Sequence, residues 1–286
     1  MLRRLVSHLL IFIAVFCLIV TFYIWFLDSV LLNPNKLVPA LNDAGVPSAV
    51  ASILPDKATQ DAEPAEKADM KAKIAQVVTP AYVDKKMTAI AISVTTFMRE
   101  GAPQPVVDLS DFPVLLANSG VEVGDDIQDH FKDPIELNKE GKLDKLPQAY
   151  KNFKLLKIAG VVLFGLLLAL EWWVAAKNEK MRRIGRIFLH SAIWFFTFWA
   201  AIIFIPAKLA TKIKAGIEDQ STHTLIDAVI KAVQTLFGQY FLFAAIVCAV
   251  IALSLYLLRR SKKHVQAIKV ASATSQTATK RTTKNT

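Results

Sequence analysis

Four long apolar runs restrict what this chain can fold into. They cover residues 5–27, 158–176, 187–205 and 240–258, one run of 23 residues and three of 19, and Glu171 is the only charged residue in them. At about 1.5 Å per helical residue, 19 residues reach roughly 28 Å, close to the roughly 30 Å hydrocarbon core of a bilayer. The pattern predicts an all-α integral membrane protein with four transmembrane helices, and a helical extracytoplasmic domain between the first and second.

The first run follows Arg3 and Arg4, as the apolar region of a cleaved signal peptide also would. A signal peptide has an apolar region of only about 7 to 15 residues before a small-residue cleavage site. This run has 23 residues, ends with Tyr23, Trp25 and Phe26, and continues without such a site. We therefore interpret residues 1–27 as an uncleaved signal anchor, with the aromatic residues at the membrane interface.

Basic residues in the short flanks predict the orientation, because positively charged loops are retained in the cytoplasm. The N-terminus, residues 177–186 and the segment after residue 258 are basic, and four crossings place all three on one side. Lys151, Lys154 and Lys157 oppose this orientation, as they flank the predicted outer end of the second helix. The prediction is a multi-pass plasma-membrane protein with both termini in the cytoplasm.

This topology divides the chain into eight segments. They are the anchor at 1–27, the extracytoplasmic domain at 28–153, a transmembrane helix at 154–176, a basic cytoplasmic loop at 177–186, a third transmembrane helix at 187–206, an extracytoplasmic amphipathic connector at 207–239, a fourth transmembrane helix at 240–258, and a tail at 259–286. The tail has eight basic residues, no acidic residue and many Ser and Thr, a composition typical of disorder.

Charge is divided unevenly along the chain. Residues 28–152 carry a net charge of −6 and the remaining residues carry +16, which together give the chain's net charge of +10. Positive charge is thus concentrated beside the apolar runs, which favours anionic lipid headgroups over nucleic acid as the partner. The residues predicted to contact headgroups are Arg182, Arg183, Arg259, Arg260, Lys262 and Lys263.

The strongest helix signal in the outer domain runs from Thr79-Pro80 to Gly101. Its apolar residues recur at spacings of 4, 3, 4 and 3, which places them on one helical face: Val83, Met87, Ile90, Val94 and Phe97. This stripe either packs under the other short helices or forms an interaction surface for another envelope protein or a second copy. The connector at 207–239 is also amphipathic, and either lies on the membrane surface or docks under the domain.

A polar residue lies at a similar depth in each of the four apolar helices. These residues are His8, Glu171, His190 and Tyr256. Three interpretations remain open. Glu171 reaches the membrane interface while each His contacts local backbone or headgroups, or Glu171 forms a hydrogen bond with His190 that fixes helix packing. In the third, Glu171 joins the His residues in a proton or metal site. The sequence gives the depth of each residue but not the rotation of its helix. We therefore predict only that the Glu171 carboxylate points into the helix bundle.

No motif of a nucleotide-binding, hydrolase or zinc site is present, and the residues at 124–133 resemble a solvated acidic face more than a cation loop. Cys17 and Cys248 lie in apolar runs and are expected to pack as small residues. We therefore expect no cofactor, no metal and no catalytic residues. The expected function is a non-enzymatic envelope protein whose outer domain serves protein interaction, sensing or scaffolding. The alternatives are a small transporter or proton-coupled protein using the polar layer, and a membrane-embedded hydrolase or lipid-modifying enzyme.

Overall fold

A computed structural model describes residues 2–60, 63–121, 131–139, 141–177, 179–217 and 219–282, with side chains except at 2–4, 64–65 and 262–282. This part of the chain is nearly all helical, which confirms the predicted all-α class. The helices are α1 (Leu2–Phe26), α2 (Pro34–Asp43), α3 (Val46–Ala58), α4 (Pro64–Val77), α5 (Pro80–Glu100), α6 (Phe112–Asn118), α7 (Leu146–Val174), α8 (Lys180–Lys214) and α9 (Gln220–Thr282). One turn of π-helix, Leu27–Leu31, extends α1.

Within the described ranges, four helices are long and apolar enough to cross a membrane. They are Leu5–Leu31, Leu146–Val174, Lys180–Lys214 and Gln220–Ser261; three of them contain a whole apolar run, and Leu146–Val174 contains residues 158–174 of the second run. The bent pair α2 and α3, with 69° between its helices, also passes the same test of length and composition when taken as one span. The number of helices able to cross is therefore four, or five with that pair.

Capping residues explain where several helices of the domain after α1 begin and end. Asn33 accepts a 3.1 Å hydrogen bond from the Asn35 N–H at the start of α2, and Thr79 accepts a 3.2 Å bond from the Tyr82 N–H at the start of α5. Gly101 ends α5 with φ +81°, a conformation that side chains disfavour. β1 (Val106–Val107), which follows α5, pairs antiparallel with β2 (Ile135–Glu136), which comes after α6, and this ladder is the only sheet in the described ranges.

The chain forms two compact units. The apolar unit comprises Met1–Thr21, Ala159–Phe198 and Phe241–Thr286, and the domain unit comprises Phe22–Ile158 and Trp199–Tyr240. In the apolar unit, α1, α7 and α8 share a core of Leu10, Ala14, Val15, Cys17, Leu167 and Ile187. In the domain unit, α5 packs against both α2 and α3, and α4 packs against α3 and α6.

Three helices extend beyond the predicted boundaries, and the first of them, α7, begins at Leu146 instead of at residue 154. α8 continues through Pro206 to Lys214, which is possible because an internal proline removes a single backbone hydrogen bond. α9 continues to Thr282, through the segment whose composition predicts disorder. No glycine or proline follows Gly238 in the sequence, so no helix-breaking residue interrupts α9 there.

Candidate functional site

Glu171 occupies a buried polar cluster in the apolar unit. Its side chain on α7 is completely buried, and Ser7 of α1 donates a 2.5 Å hydrogen bond from Oγ to its Oε1. Arg183 of α8 places Nη1 3.5 Å from the same oxygen. Arg183 also donates from Nε and Nη2 to Oε2 of Glu179, at 3.1 and 2.8 Å. The cluster therefore links three helices through one carboxylate.

The geometry of this cluster is that of an ion pair with incomplete hydrogen bonding. Glu171 Oε2 and Arg183 Nη1 are buried and have no hydrogen-bond partner in the described part of the chain. A buried charge is costly unless it is paired, and Arg183 supplies the opposite charge to Glu171. The arrangement can hold helices together, and removal of either partner would leave the other charge in an apolar environment.

The other three residues of the predicted polar layer do not join Glu171. His190 is exposed, and its Nδ1 lies 2.7 Å from the carbonyl oxygen of Arg186, one turn earlier in α8. His8 is exposed, and Tyr256 is half-buried beside Gly185. Within the described ranges the hydrogen bond to Glu171 comes from Ser7, so the Glu171–His190 bond considered above is not formed. Sequence depth alone missed Ser7, although it is a polar residue inside the first apolar run.

No described residues form a metal site. Groups of three or more His, Cys, Asp or Glu that could hold a metal ion are absent from the described ranges. The acidic stretch considered above lies largely outside them, since Asp125, Asp126, Asp129 and His130 belong to the segment 122–130. Cys17 and Cys248 are both buried free cysteines.

The predicted headgroup-contacting residues fall into different environments. Arg182 and Arg259 are half-buried, and Arg260 is exposed. Arg183 is engaged with Glu171 and Glu179, so any contact with a headgroup competes with two internal carboxylates. The side chains of Lys262 and Lys263 lie outside the described residues.

The apolar stripe of α5 is covered by the helices of its own domain. Val83 is 6% exposed and Phe97 is 2% exposed, while Met87, Ile90 and Val94 are half-buried. Val83 packs in a core with apolar residues of α3, α4 and α6: Ala51, Ile74, Val77 and Leu116. Of the two alternatives for this stripe, the structure has the first, in which it packs under the other short helices. Val83 and Phe97 are therefore not accessible to a partner.

The middle of the stripe lines an apolar cavity of about 400 Å³ in the domain unit. Its wall combines residues of α3, α4, α5 and α6 with residues of the β1 region, including Val50, Leu54, Ala58, Ile74, Met87, Ile90 and Phe112. Tyr82 and Lys86 are the only polar side chains among the described lining residues. No sequence pattern indicated this cavity, because it depends on how four helices pack.

Lys86 is neutralised beside the cavity by a small polar network. Its Nζ lies 2.7 Å from Asp111 Oδ1 and donates a 2.6 Å hydrogen bond to the Asp108 carbonyl oxygen. Tyr82 donates a 3.2 Å hydrogen bond to Asp111 Oδ1. Burial raises the pKa of Asp111, but the hydrogen bond and charge of Lys86 outweigh it and hold that pKa below its ordinary value. Burial, reinforced by the charge of Asp111, raises the pKa of Tyr82.

The first part of α9 docks on the helical domain within the same unit. Ala228 and Ala232 of α9 pack in one cluster with Ala44, Val46 and Ala49. Lys231 adds a 3.2 Å hydrogen bond from Nζ to the Asp43 carbonyl oxygen. Of the two alternatives for the amphipathic connector, the structure therefore gives docking on the domain for this stretch.

Comparison of the chain with protein-family models, curated proteins and solved structures finds no match in any of the three.

Proposed function

We propose that this chain is a multi-pass plasma-membrane protein whose extracytoplasmic helical domain senses an apolar ligand in the 400 Å³ cavity. The protein transmits occupancy to α9. The observation that carries the proposal is that Val50 and Met87 line the cavity and also pack against the cluster that joins the domain to α9. A ligand that moves either side chain acts directly on the surface that holds α9.

Exposed apolar side chains support membrane insertion. Seven large apolar residues of α7 are more than half exposed: Leu155, Leu156, Ile158, Val161, Val162, Leu166 and Trp173. Soluble monomers rarely expose contiguous apolar patches of more than a few hundred Å², so this face requires a cover. A bilayer supplies that cover along the whole length of an apolar helix.

Ion pairing in the domain unit supports the proposed orientation. Lys157, one of three residues that oppose the orientation, forms an ion pair with Asp28, which also accepts a 2.8 Å hydrogen bond from Tyr150. The opposing charge is reduced to Lys151 and Lys154, both of which are exposed. A reporter fused after Thr286 that requires the cytosol for activity is expected to be active, and accessibility of that reporter from outside intact cells would contradict the orientation.

The lining of the cavity determines the class of ligand. Its volume falls in the range of about 300 to 1,000 Å³ that is typical of small-molecule sites. Because Lys86 is paired with Asp111, the described wall offers no free charge for an anionic group. The ligand that fits is an uncharged molecule of alkyl or aryl character, bound through burial of apolar surface.

Photolabelling with site mapping tests the ligand site. The full chain in lipid nanodiscs is irradiated with a decane that carries a diazirine, and labelled peptides are mapped by mass spectrometry. Ala58→Phe inserts a ring at an exposed lining position and is expected to reduce labelling of α5 at least threefold. Ala89→Phe makes the same substitution at an exposed position of α5 outside the lining, and is expected to leave labelling unchanged. Equal labelling of α5 in both variants, or its absence from the unaltered chain, would refute the ligand site.

The alternative of a proton-coupled transporter depends on Glu171 and the histidines acting together. Glu171 is instead paired with Arg183 and hydrogen-bonded by Ser7, while His8 and His190 are exposed. This arrangement favours a structural role for Glu171, as an ionic link between helices.

A further inference from the structure

A basic cavity of about 340 Å³ lies between the N-terminal part of α1 and the start of α8, inside the apolar unit. Its lining includes Arg182, Arg183 and Arg186 of α8 with Ser7 and His8 of α1. Glu179 is the only acidic residue among the described lining. The walls thus carry a net positive charge before any contribution from His8.

Two of the three arginines are available to a ligand. Arg183 is engaged by Glu179 and Glu171, as described above. Arg182 and Arg186 form no ion pair with any acidic side chain in the described ranges. The acidic residue that lines the cavity, Glu179, is already bound to Arg183. Their spacing of four residues places them one turn apart on one face of α8.

An apolar groove adjoins the basic cavity. It has a volume of about 470 Å³ and shares His8, Ile11 and Arg186 with the basic cavity. The rest of its described lining consists of Phe12, Val15, Trp194 and His190, of which only His190 is titratable. The two spaces therefore form a polar end with free guanidinium groups, followed by an apolar surface that runs along α1 and α8.

We propose that this composite site binds an anionic phospholipid, with its phosphate group between Arg182 and Arg186 and an acyl chain along the apolar groove. The planar fork of a guanidinium matches phosphate oxygens, which makes arginine well suited to this group. His8 stands at the junction of the two spaces and can donate a further hydrogen bond. The Ser7 hydroxyl is already donated to Glu171, so it holds the wall and does not hold the ligand.

The adjoining groove is the reason to favour a lipid over soluble phosphate. Free phosphate would fill the basic cavity alone and gain nothing from Phe12 or Trp194. A lipid places its phosphate at the first turns of α8 and its chain beside the apolar run that begins at Ile187. The site rests on the membrane insertion proposed above, but it is independent of the ligand cavity in the helical domain.

Lipid binding to matched variants tests the site. The delipidated full chain in a non-ionic detergent is titrated with dioleoylphosphatidylglycerol or dioleoylphosphatidylcholine, and bound lipid is counted by native mass spectrometry. We expect the unaltered chain to prefer phosphatidylglycerol at least tenfold, and R182Q/R186Q to lose that preference. The control K208Q/K212Q removes two exposed charges with the same spacing from the other end of α8, and is expected to keep it.

The possible outcomes distinguish a lipid site from a site for free phosphate and from a general effect of charge. Equal binding of both lipids, or an equal loss of preference in the two double variants, overturns the proposal. Competition by millimolar inorganic phosphate that disappears in R182Q/R186Q, without any lipid preference, supports the phosphate contacts but overturns the lipid as the source. If R182Q/R186Q melts at a lower temperature than the unaltered chain, the variant R182K/R186K is used in its place. Because this variant loses the guanidinium geometry, its preference for phosphatidylglycerol is expected to be severalfold weaker. Unchanged binding by this variant overturns the proposal.

A separate measurement distinguishes failure of insertion. Each variant is reconstituted into phosphatidylcholine vesicles and tested for resistance to alkaline extraction. A chain that resists extraction but shows no preference for phosphatidylglycerol refutes the lipid site alone. Extraction of the unaltered chain refutes membrane insertion, and the lipid site with it.

Discussion

Gly160→Ala is expected to destabilise the apolar unit, because α1 and α7 are in close contact at this position. A Cβ atom built on Gly160 would overlap Oγ1 of Thr21 and lie 3.3 Å from both Cβ and Cγ2 of that residue. The Sγ of Cys17 also lies 3.5 Å from the Gly160 carbonyl oxygen, in the same contact. Thr21 is β-branched and therefore stiff, so rotation of its side chain cannot relieve all three contacts.

A second glycine on the same helix provides the reference for the magnitude. A Cβ atom on Gly165 would meet nothing within 4 Å. Both substitutions gain about 1 kcal/mol of helix propensity, so that gain cancels when the two variants are compared. Overpacking at a close contact costs about 1 to 3 kcal/mol, which is the expected difference in unfolding free energy between Gly165→Ala and Gly160→Ala.

Equilibrium unfolding by SDS in mixed micelles, followed by circular dichroism, measures this difference. Gly165→Ala is expected to equal or exceed the unaltered chain in stability, while Gly160→Ala falls below Gly165→Ala. Adding Thr21→Ala to Gly160→Ala removes Oγ1 and Cγ2 and is expected to recover most of the loss, since residues in contact do not behave additively. Equal stability of the two glycine variants, or no recovery with Thr21→Ala, would refute the close approach of α1 and α7.

Two further predictions concern polar groups. Glu171→Gln is expected to lower the unfolding free energy by about 1 to 3 kcal/mol, because Arg183 stays buried with only Glu179 as its counter-charge. Ser7→Ala removes one hydrogen bond and is expected to lower the unfolding free energy by less in the same SDS titration. A larger loss for Ser7→Ala than for Glu171→Gln would contradict the ion pair. Hydrogen bonds from Ser221 and Thr222 lower the pKa of Asp219 to about 2, against an ordinary value of 3.8, so its stabilisation of the start of α9 is present above about pH 4 and is lost as the pH falls towards 2. Asp219→Ala is expected to speed amide exchange at the start of α9 at pH 6 but not at pH 2, and equal protection at pH 6 would show that this carboxylate does not cap the helix.

Local signals predicted the bounds of α5 well, because capping acts within a few residues. Thr79 and Gly101 bound α5 in the structure as the sequence indicates, and Asn33 caps α2. The apolar runs likewise identify the four helices that could cross a membrane, since length and hydropathy depend on composition alone.

Side-chain partners across helices were not predictable in the same way, because they depend on helix rotation. The sequence places Glu171, His190 and His8 at similar depth, whereas the structure joins Glu171 to Ser7 and Arg183. Ser7 and His8 are adjacent, yet Ser7 is buried and His8 is exposed. Successive helical residues differ by about 100° around the axis, so two adjacent polar residues can differ fully in burial, as Ser7 and His8 do.

The same rotation assigns different roles to neighbouring arginines and changes the charge balance on which the orientation rests. Arg183 is neutralised by Glu171 and Glu179, so it does not contribute a free charge to residues 177–186. Lys177, Lys180, Arg182 and Arg186 remain there, against Lys151 and Lys154 beside the start of α7 once Lys157 is paired with Asp28. The bias in free basic residues is therefore four to two, compared with five to three from the sequence alone. Because each of the two segments loses one charge to an internal pair, the difference between them is preserved and the ratio rises, which supports the proposed orientation.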